Sequence, residues 1–183
     1  MTPYQKYIAF KTILIREILR FMRIWIQTVL PPVITTALYF IIFGNLIVSQ
    51  IGDMEGFRYM DYIVPGLIMM AVITNSYANV VSSFYGSKFQ HNIEEMLVAP
   101  LPFFLFVCGD VAGGLARGSS VGVAVTITSL CFSVLRIHDF WVAGSVIVLT
   151  SILFSLAGLI NGVYAKSFDD ISIIPTFVLT PLT

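Results

Sequence analysis

The chain has 183 residues, ten Lys+Arg against ten Asp+Glu, and a formal net charge of zero. Hydrophobic residues make up 57% and charged residues 11%, whereas soluble domains carry about 25% charged residues. These figures exclude a disordered chain, a nucleic-acid binder that works through a basic field, and an ordinary cytosolic enzyme domain. The class that remains is an all-α, polytopic helical membrane protein.

The first 23 residues predict a basic amphipathic helix, not a signal peptide. Lys6, Lys11, Arg16, Arg20 and Arg23 are spread along it rather than gathered before an apolar core. At about 100° per residue, Tyr4, Tyr7, Ile8, Leu14, Ile15, Ile18, Met22 and Trp25 share one face. Gln5, Lys6, Thr12, Arg16, Arg20 and Arg23 share the other, with Lys11 misplaced on the apolar side and Ile13 on the polar side. Such a helix suits the membrane surface, and a soluble partner is the other reading.

A membrane-crossing helix needs about 20 apolar residues. The uncharged stretches 24–52, 62–87, 118–135 and 140–165 predict span one over 24–50, span two over 61–86, span three over 104–135, with the Gly-rich stretch that carries Asp110 and Arg117 in its first half, and span four over 140–164. A fifth span begins at 171 and runs to 183, where it is expected to be cut short. If the N-terminus is cytoplasmic, seven Lys/Arg lie inside and two outside, with Arg117 unplaced. The bias toward the inside supports that topology.

Between spans two and three, Phe89, Ile93, Met96 and Leu97 recur at helical spacing, and Pro100 and Pro102 stop the pattern. A short amphipathic helix over 88–100 is expected there, either docking a partner or anchoring the turn. Span two carries Thr74, Asn75, Ser76, Asn79, Ser82 and Ser83, and span four carries Asn161. Hydrogen bonds between helices account for them, and lining a polar pathway is the alternative. In span three, Gly109, Gly113, Gly114, Gly118 and Gly122 predict close helix packing, within one bundle or between subunits. Asp110 and Arg117 are seven residues apart, hence on one face of that span. A salt bridge, interfacial snorkelling, substrate contact and coupling to a partner are all open to them. Asp169 and Asp170 sit where acids cap the start of a helix.

Catalytic chemistry is not visible. No Gly-x-x-x-x-Gly-Lys-Ser/Thr loop cradles phosphate. His91 and His138 are far apart, and Cys108 and Cys131 give neither metal spacing nor a disulfide framework.

The segment Glu94-Glu95-Met96-Leu97-Val98-Ala99-Pro100-Leu101 resembles the loop of ABC-2 type permeases, the membrane subunits of a class of ATP-binding-cassette exporters. The resemblance extends to the basic N-terminus and to Pro31-Pro32 early in span one. It includes Tyr62-Ile-Val-Pro-Gly-Leu-Ile-Met-Met70, and Ala165 to Ile171 leading to Pro175 to Thr183. It implies a six-span fold, a second permease copy, a separate ATPase subunit carrying ATP and Mg, and residence in the bacterial inner membrane. It implies no cofactor on this chain, no nucleic-acid partner and no enzymatic activity of its own. It also implies that the segment from about Ser87 to Pro100 is a coupling helix, with Lys88, Phe89, His91, Asn92, Glu94, Glu95, Met96, Leu97 and Pro100 facing the ATPase. Spans one and five would lie near the dimer axis, where Thr35, Thr36 and Tyr39 could face the path. Asn75, Asn79, Asp110 and Arg117 are the other in-membrane polar candidates. An ion-coupled transporter or channel, or a polytopic membrane enzyme, are the alternatives.

Overall fold

The computed structural model describes residues 3–46, 59–90, 94, 102–132 and 139–180. Among these, the chain forms α1 (Pro3–Arg23), α2 (Trp25–Leu46), α3 (Tyr59–Phe89), α4 (Phe103–Leu130), α5 (Phe140–Tyr164) and α6 (Phe168–Ile174). A π-helical turn over Pro175–Leu179 follows α6. No strand occurs among the described residues.

Trp25–Ile42, Ile63–Phe89 and Phe140–Tyr164 are long and apolar enough to cross a membrane. They correspond to expected spans one, two and four, and α5 has the bounds expected from the sequence. At 28 residues, α4 also has the length of a span. Its glycines, Asp110 and Arg117 dilute its hydropathy, so it depends on its neighbours for an apolar surround.

The central helix is α3. Within the three apolar segments, 44% of the α3 residues are buried, against 17% in α2 and 22% in α5. It packs along both α4 and α5. Phe40, Val64, Ile68, Val72, Val121 and Val125 form the core between α2, α3 and α4. Tyr77, Val81 and Leu179 form a second core toward the π-helical turn. Lipid-suited side chains such as Leu30, Leu38, Leu149 and Ile160 stand exposed on the outside.

The glycines of α4 are packing contacts inside this bundle. A Cβ on Gly113 would come 2.7 Å from Glu17 Cβ, and one on Gly122 would come 2.7 Å from Val72 Cγ2. Gly109 meets Ile13, while Gly114 and Gly118 meet Ser155 and Ser76. The ladder therefore serves two seams, one taking α1 and the other taking α3 and α5. Removing side chains lets backbones approach and gain dispersion where lipid supplies no hydrophobic drive.

Several boundaries differ from the sequence reading. The helix of span two continues through Lys88 and Phe89, so these two residues end α3 instead of opening a separate helix. Lys88 Nζ donates to the carbonyls of Val163 at 3.0 Å and Ala165 at 2.8 Å, capping the end of α5. Helix α6 begins at Phe168, ahead of residue 171 where a fifth span is expected to start, through a capping box: the Ser167 hydroxyl accepts from the Asp170 N–H, and the Asp170 carboxylate accepts from the Ser167 N–H. The Lys166 N–H also donates to that carboxylate and, together with the Ser167 N–H, holds it below the ordinary carboxylate value. A depressed value means that this cap is fully present above the ordinary carboxylate range. It is lost as pH falls through the depressed value.

Candidate functional site

Among the described residues, two polar clusters that meet α4 carry charged side chains. The first joins α1 to α3 and α4. Along α1, Ile13, Glu17 and Phe21 are buried on one ridge of spacing four, which seats against α4. This corrects the sequence assignment of Ile13 to a solvated face. The stripe expected to be apolar, including Tyr4, Tyr7, Ile15 and Met22, is exposed on the outside of the bundle, as a face turned to the membrane surface would be. The physical reason is the groove over Gly109 and Gly113, which admits the Ile13–Glu17 ridge and leaves the aromatic stripe for lipid.

Glu17 is 1% exposed and well partnered. The Ser83 hydroxyl lies 2.8 Å from both of its carboxylate oxygens. Arg20 Nη2 pairs with it at 3.2 Å and Arg16 Nη2 at 3.3 Å. Arg20 Nη2 also donates to the Asn79 carbonyl at 2.9 Å and to Asn79 Oδ1 at 3.2 Å. Burial holds the Arg20 guanidinium below its ordinary value, against the opposing pull of Glu17 and Asp110. One carboxylate and one guanidinium thus tie the interfacial helix to the half of α3 that leads to Lys88.

Asp110 belongs to this centre and not to Arg117. It lies within electrostatic reach of Glu17, Arg16 and Arg20, and both its oxygens are buried without a hydrogen-bond partner among the described residues. No Asp110–Arg117 ion pair occurs among those residues. Seven residues are about 10 Å of helical rise. The shared face of α4 meets α1 at Asp110 and α2 at Arg117, so the two charges serve different neighbours.

The second centre is a cavity of about 310 Å³ between α2 and α3. Gln27, Thr28, Thr35 and Thr36 line it from α2, Thr74 and Asn75 from α3, and Arg117 reaches it from α4. Pro31 and Pro32 form its wall. Having no N–H, they withhold the donors that the Gln27 and Thr28 carbonyls would meet in a regular helix. Asn75 Nδ2 donates to the Ala71 carbonyl at 3.0 Å, which fixes its side chain at the rim.

Of the residues anticipated from sequence, Thr35, Asn75 and Arg117 thus converge on one cavity, while Asn79 and Asp110 join the α1 network. Asn161 forms the expected interhelical bond, donating to the Tyr77 hydroxyl at 2.7 Å. Phe89 stacks edge-on against Phe168 with ring centroids 5.2 Å apart, and Glu94 is helical and exposed. His91, Asn92, Glu95, Met96, Leu97 and Pro100 lie outside the described residues. Sequence reasoning missed Glu17, Arg20 and Ser83 as a unit. The available signal was a lone acid inside a basic helix, flanked at four-residue spacing by Ile13 and Phe21.

Residues 8–183 match the ABC-2 type transporter family. The chain is 64% identical over 177 residues to the inner membrane transport permease YadH of Escherichia coli K12, covering 97% of this chain and 69% of that protein. The protein of that name in Shigella flexneri gives the same identity and coverage. Nodulation protein J of Rhizobium leguminosarum bv. viciae is 21% identical over 168 residues, covering 91% of this chain and 65% of its own. No solved structure matches the chain. The extent of the family match, together with the identity to permeases of which the chain covers more than two thirds, establishes that the chain belongs to the ABC-2 type transporter family.

Proposed function

We propose that the chain is the membrane-spanning permease subunit of an ATP-driven exporter in a bacterial inner membrane. It works as a homodimer, with its N-terminus cytoplasmic and with ATP and Mg bound on a separate ATPase subunit. The observation that carries this reading is the cavity between α2 and α3. A bundle that only filled membrane would have little use for a mid-helix arginine surrounded by hydroxyls and amides. The name of YadH, an inner membrane transport permease, supports the same reading.

In this reading the 88–100 segment touches the ATPase. Lys88 and Phe89 contribute by fixing the end of α3 against α5 and α6, because their polar and aromatic groups already have partners in this chain. The acidic pair Glu94–Glu95 is the charge in this segment that we take to meet the ATPase. Reversing both charges (Glu94→Lys with Glu95→Lys) is expected to cut recovery of the co-expressed ATPase in a pull-down, while membrane insertion stays intact. Normal recovery, with ATP hydrolysis still stimulated in proteoliposomes, would remove the coupling role.

The path is expected between two copies, with span one beside it. Single cysteines placed along 32–44, in a background lacking Cys108 and Cys131, should crosslink two copies with helical periodicity. A span that never crosslinks would place the dimer axis elsewhere.

One observation favours the ion-coupled alternative: the buried Asp110 carboxyl, which has no hydrogen-bond partner among the described residues. Uptake or efflux driven by an imposed proton gradient, without ATP, and abolished by Asp110→Asn would establish that alternative over the exporter reading.

A further inference from the structure

Arg117 is the fifteenth residue of the 28-residue α4, about 20 Å of helical rise from either end. Where α4 crosses the bilayer beside α3 and α5, that position is close to the midplane, because the hydrocarbon core is about 30 Å thick. A cation there is costly unless it faces water or an anion. Its Nε is buried and has no hydrogen-bond partner among the described residues. Asp110, the other charge on α4, lies within electrostatic reach of Glu17, Arg16 and Arg20 on α1 and forms no ion pair with Arg117 among the described residues. Arg20 lies within electrostatic reach of Arg117 and adds to the positive field.

The cavity that Arg117 enters contains no other charged side chain in its lining. Thr35 and Asn75 offer neutral donors and acceptors, Thr74 offers an acceptor because its hydroxyl donates to the Met70 carbonyl at 2.7 Å, and Pro31 and Pro32 form part of the opposite wall. The remaining wall is apolar, from Leu67, Met70 and Ala71. At about 310 Å³ the volume falls in the range that holds a small molecule oriented by a few polar groups, about 300–1,000 Å³. The headgroup layer of the resident bilayer lies far from this depth, so an ordinary phospholipid does not meet Arg117 from its usual position.

We propose that this cavity is a binding station for the acidic group of an amphiphilic molecule: a phosphate or carboxylate that pairs with Arg117 and lies against the polar side chains of Thr35 and Asn75. The guanidinium supplies a planar fork for two acid oxygens. The Thr and Asn side chains complete the shell, and the apolar wall takes the first part of a chain or ring. The inference deepens the permease reading by naming a cargo class, but binding at this site requires neither ATP nor a partner subunit.

The test is native mass spectrometry of the purified protein, without any ATPase, in a neutral detergent. The probes are lysophosphatidic acid, which carries a phosphate beside a hydroxyl, and lysophosphatidylcholine, which adds a cation. Wild-type protein is expected to retain lysophosphatidic acid and to release lysophosphatidylcholine. Arg117→Gln should weaken retention by about tenfold or more, Arg117→Lys by less, and the exposed-helix control Lys6→Gln not at all. Asn75→Leu gives a second reading of the cavity if the Arg117 variants fail to assemble, and it should also lower retention. Glycerol phosphate added in excess separates the two sources of the acid. Displacement by it assigns the site to a free anion, and no displacement assigns it to a lipid-borne one. Equal retention by wild type, Arg117→Gln and Asn75→Leu would overturn the proposal, as would equal binding of both lysolipids. Selective binding with no ATPase dependence of transport would keep the site and sink the exporter reading instead.

Discussion

Replacing Glu17 with Gln is expected to release α1 from the bundle. The substitution keeps the volume but removes the charge that Arg16, Arg20 and the Ser83 hydroxyl all address. Hydrogen bonds to a charged group contribute about 1.5–3 kcal/mol each, and Arg20 would remain half-buried beside Arg16 without its anion. A loss of about 3 kcal/mol in the docking of α1 is expected, seen as a lower melting temperature in detergent and as protease cleavage within 3–23. Ser83→Ala should cost less, about 1–2 kcal/mol, because the guanidinium contacts survive it. The double variant should lose less than the sum of the two, since both remove the same bond. Additive losses would mean that Ser83 and Glu17 act separately, against the geometry.

Gly158→Ala should be nearly as damaging, for a different reason. A methyl group on Gly158 would come 2.7 Å from the carbonyl oxygen of Tyr77, a backbone atom in the middle of α3 that cannot turn away. The helices must separate by a few tenths of an ångström, which loosens the Tyr77–Asn161 bond on the next turn. Overpacking of this kind costs about 1–3 kcal/mol. Gly144→Ala in the same helix is the control. Nothing lies within 4 Å of its new methyl, and alanine is the better helix former by about 1 kcal/mol. Thermal unfolding in one detergent should therefore fall for Gly158→Ala and hold or rise for Gly144→Ala. Equal behaviour would deny the close α3–α5 seam.

The apolar elements were legible because lipid imposes a simple rule. An uncharged stretch long enough to cross must be a helix, since no water satisfies its backbone. That rule pointed to the three segments, in α2, α3 and α5, that are long and apolar enough to cross a membrane. It failed at Lys88, where a charge was taken as the end of the helix although its long stem lets the ammonium reach the carbonyls closing α5. The rule also says nothing about which face of an interfacial helix turns inward. Hydrophobicity alone pointed the aromatic stripe of α1 to the apolar side, and lipid and protein interior compete equally for such a stripe. The glycine seam of α4, more than 80 residues away in sequence, decides the matter by shape. The cavity was half legible. Thr35, Asn75 and Arg117 were each recognisable as polar groups at depth, but their meeting depends on α2 crossing both α3 and α4. The Asp110–Arg117 pairing failed because helical periodicity gives a shared face but not the neighbour that each part of the face meets.

The junction at Ile24 joins the docked helix to the cavity wall. The Ile24 N–H reaches the Phe21 carbonyl at 3.1 Å and the Thr28 N–H reaches the Ile24 carbonyl at 3.0 Å, so only Ile24 itself separates α1 from α2. The two helices are therefore joined without the slack of a linker. Ile13 and Glu17 seat α1 on the Gly109–Gly113 contact of α4, and Pro31 and Thr35 of α2 form one wall of the cavity. The helix that docks on α4 and the wall that bounds the cavity are thus parts of one nearly continuous stretch of backbone.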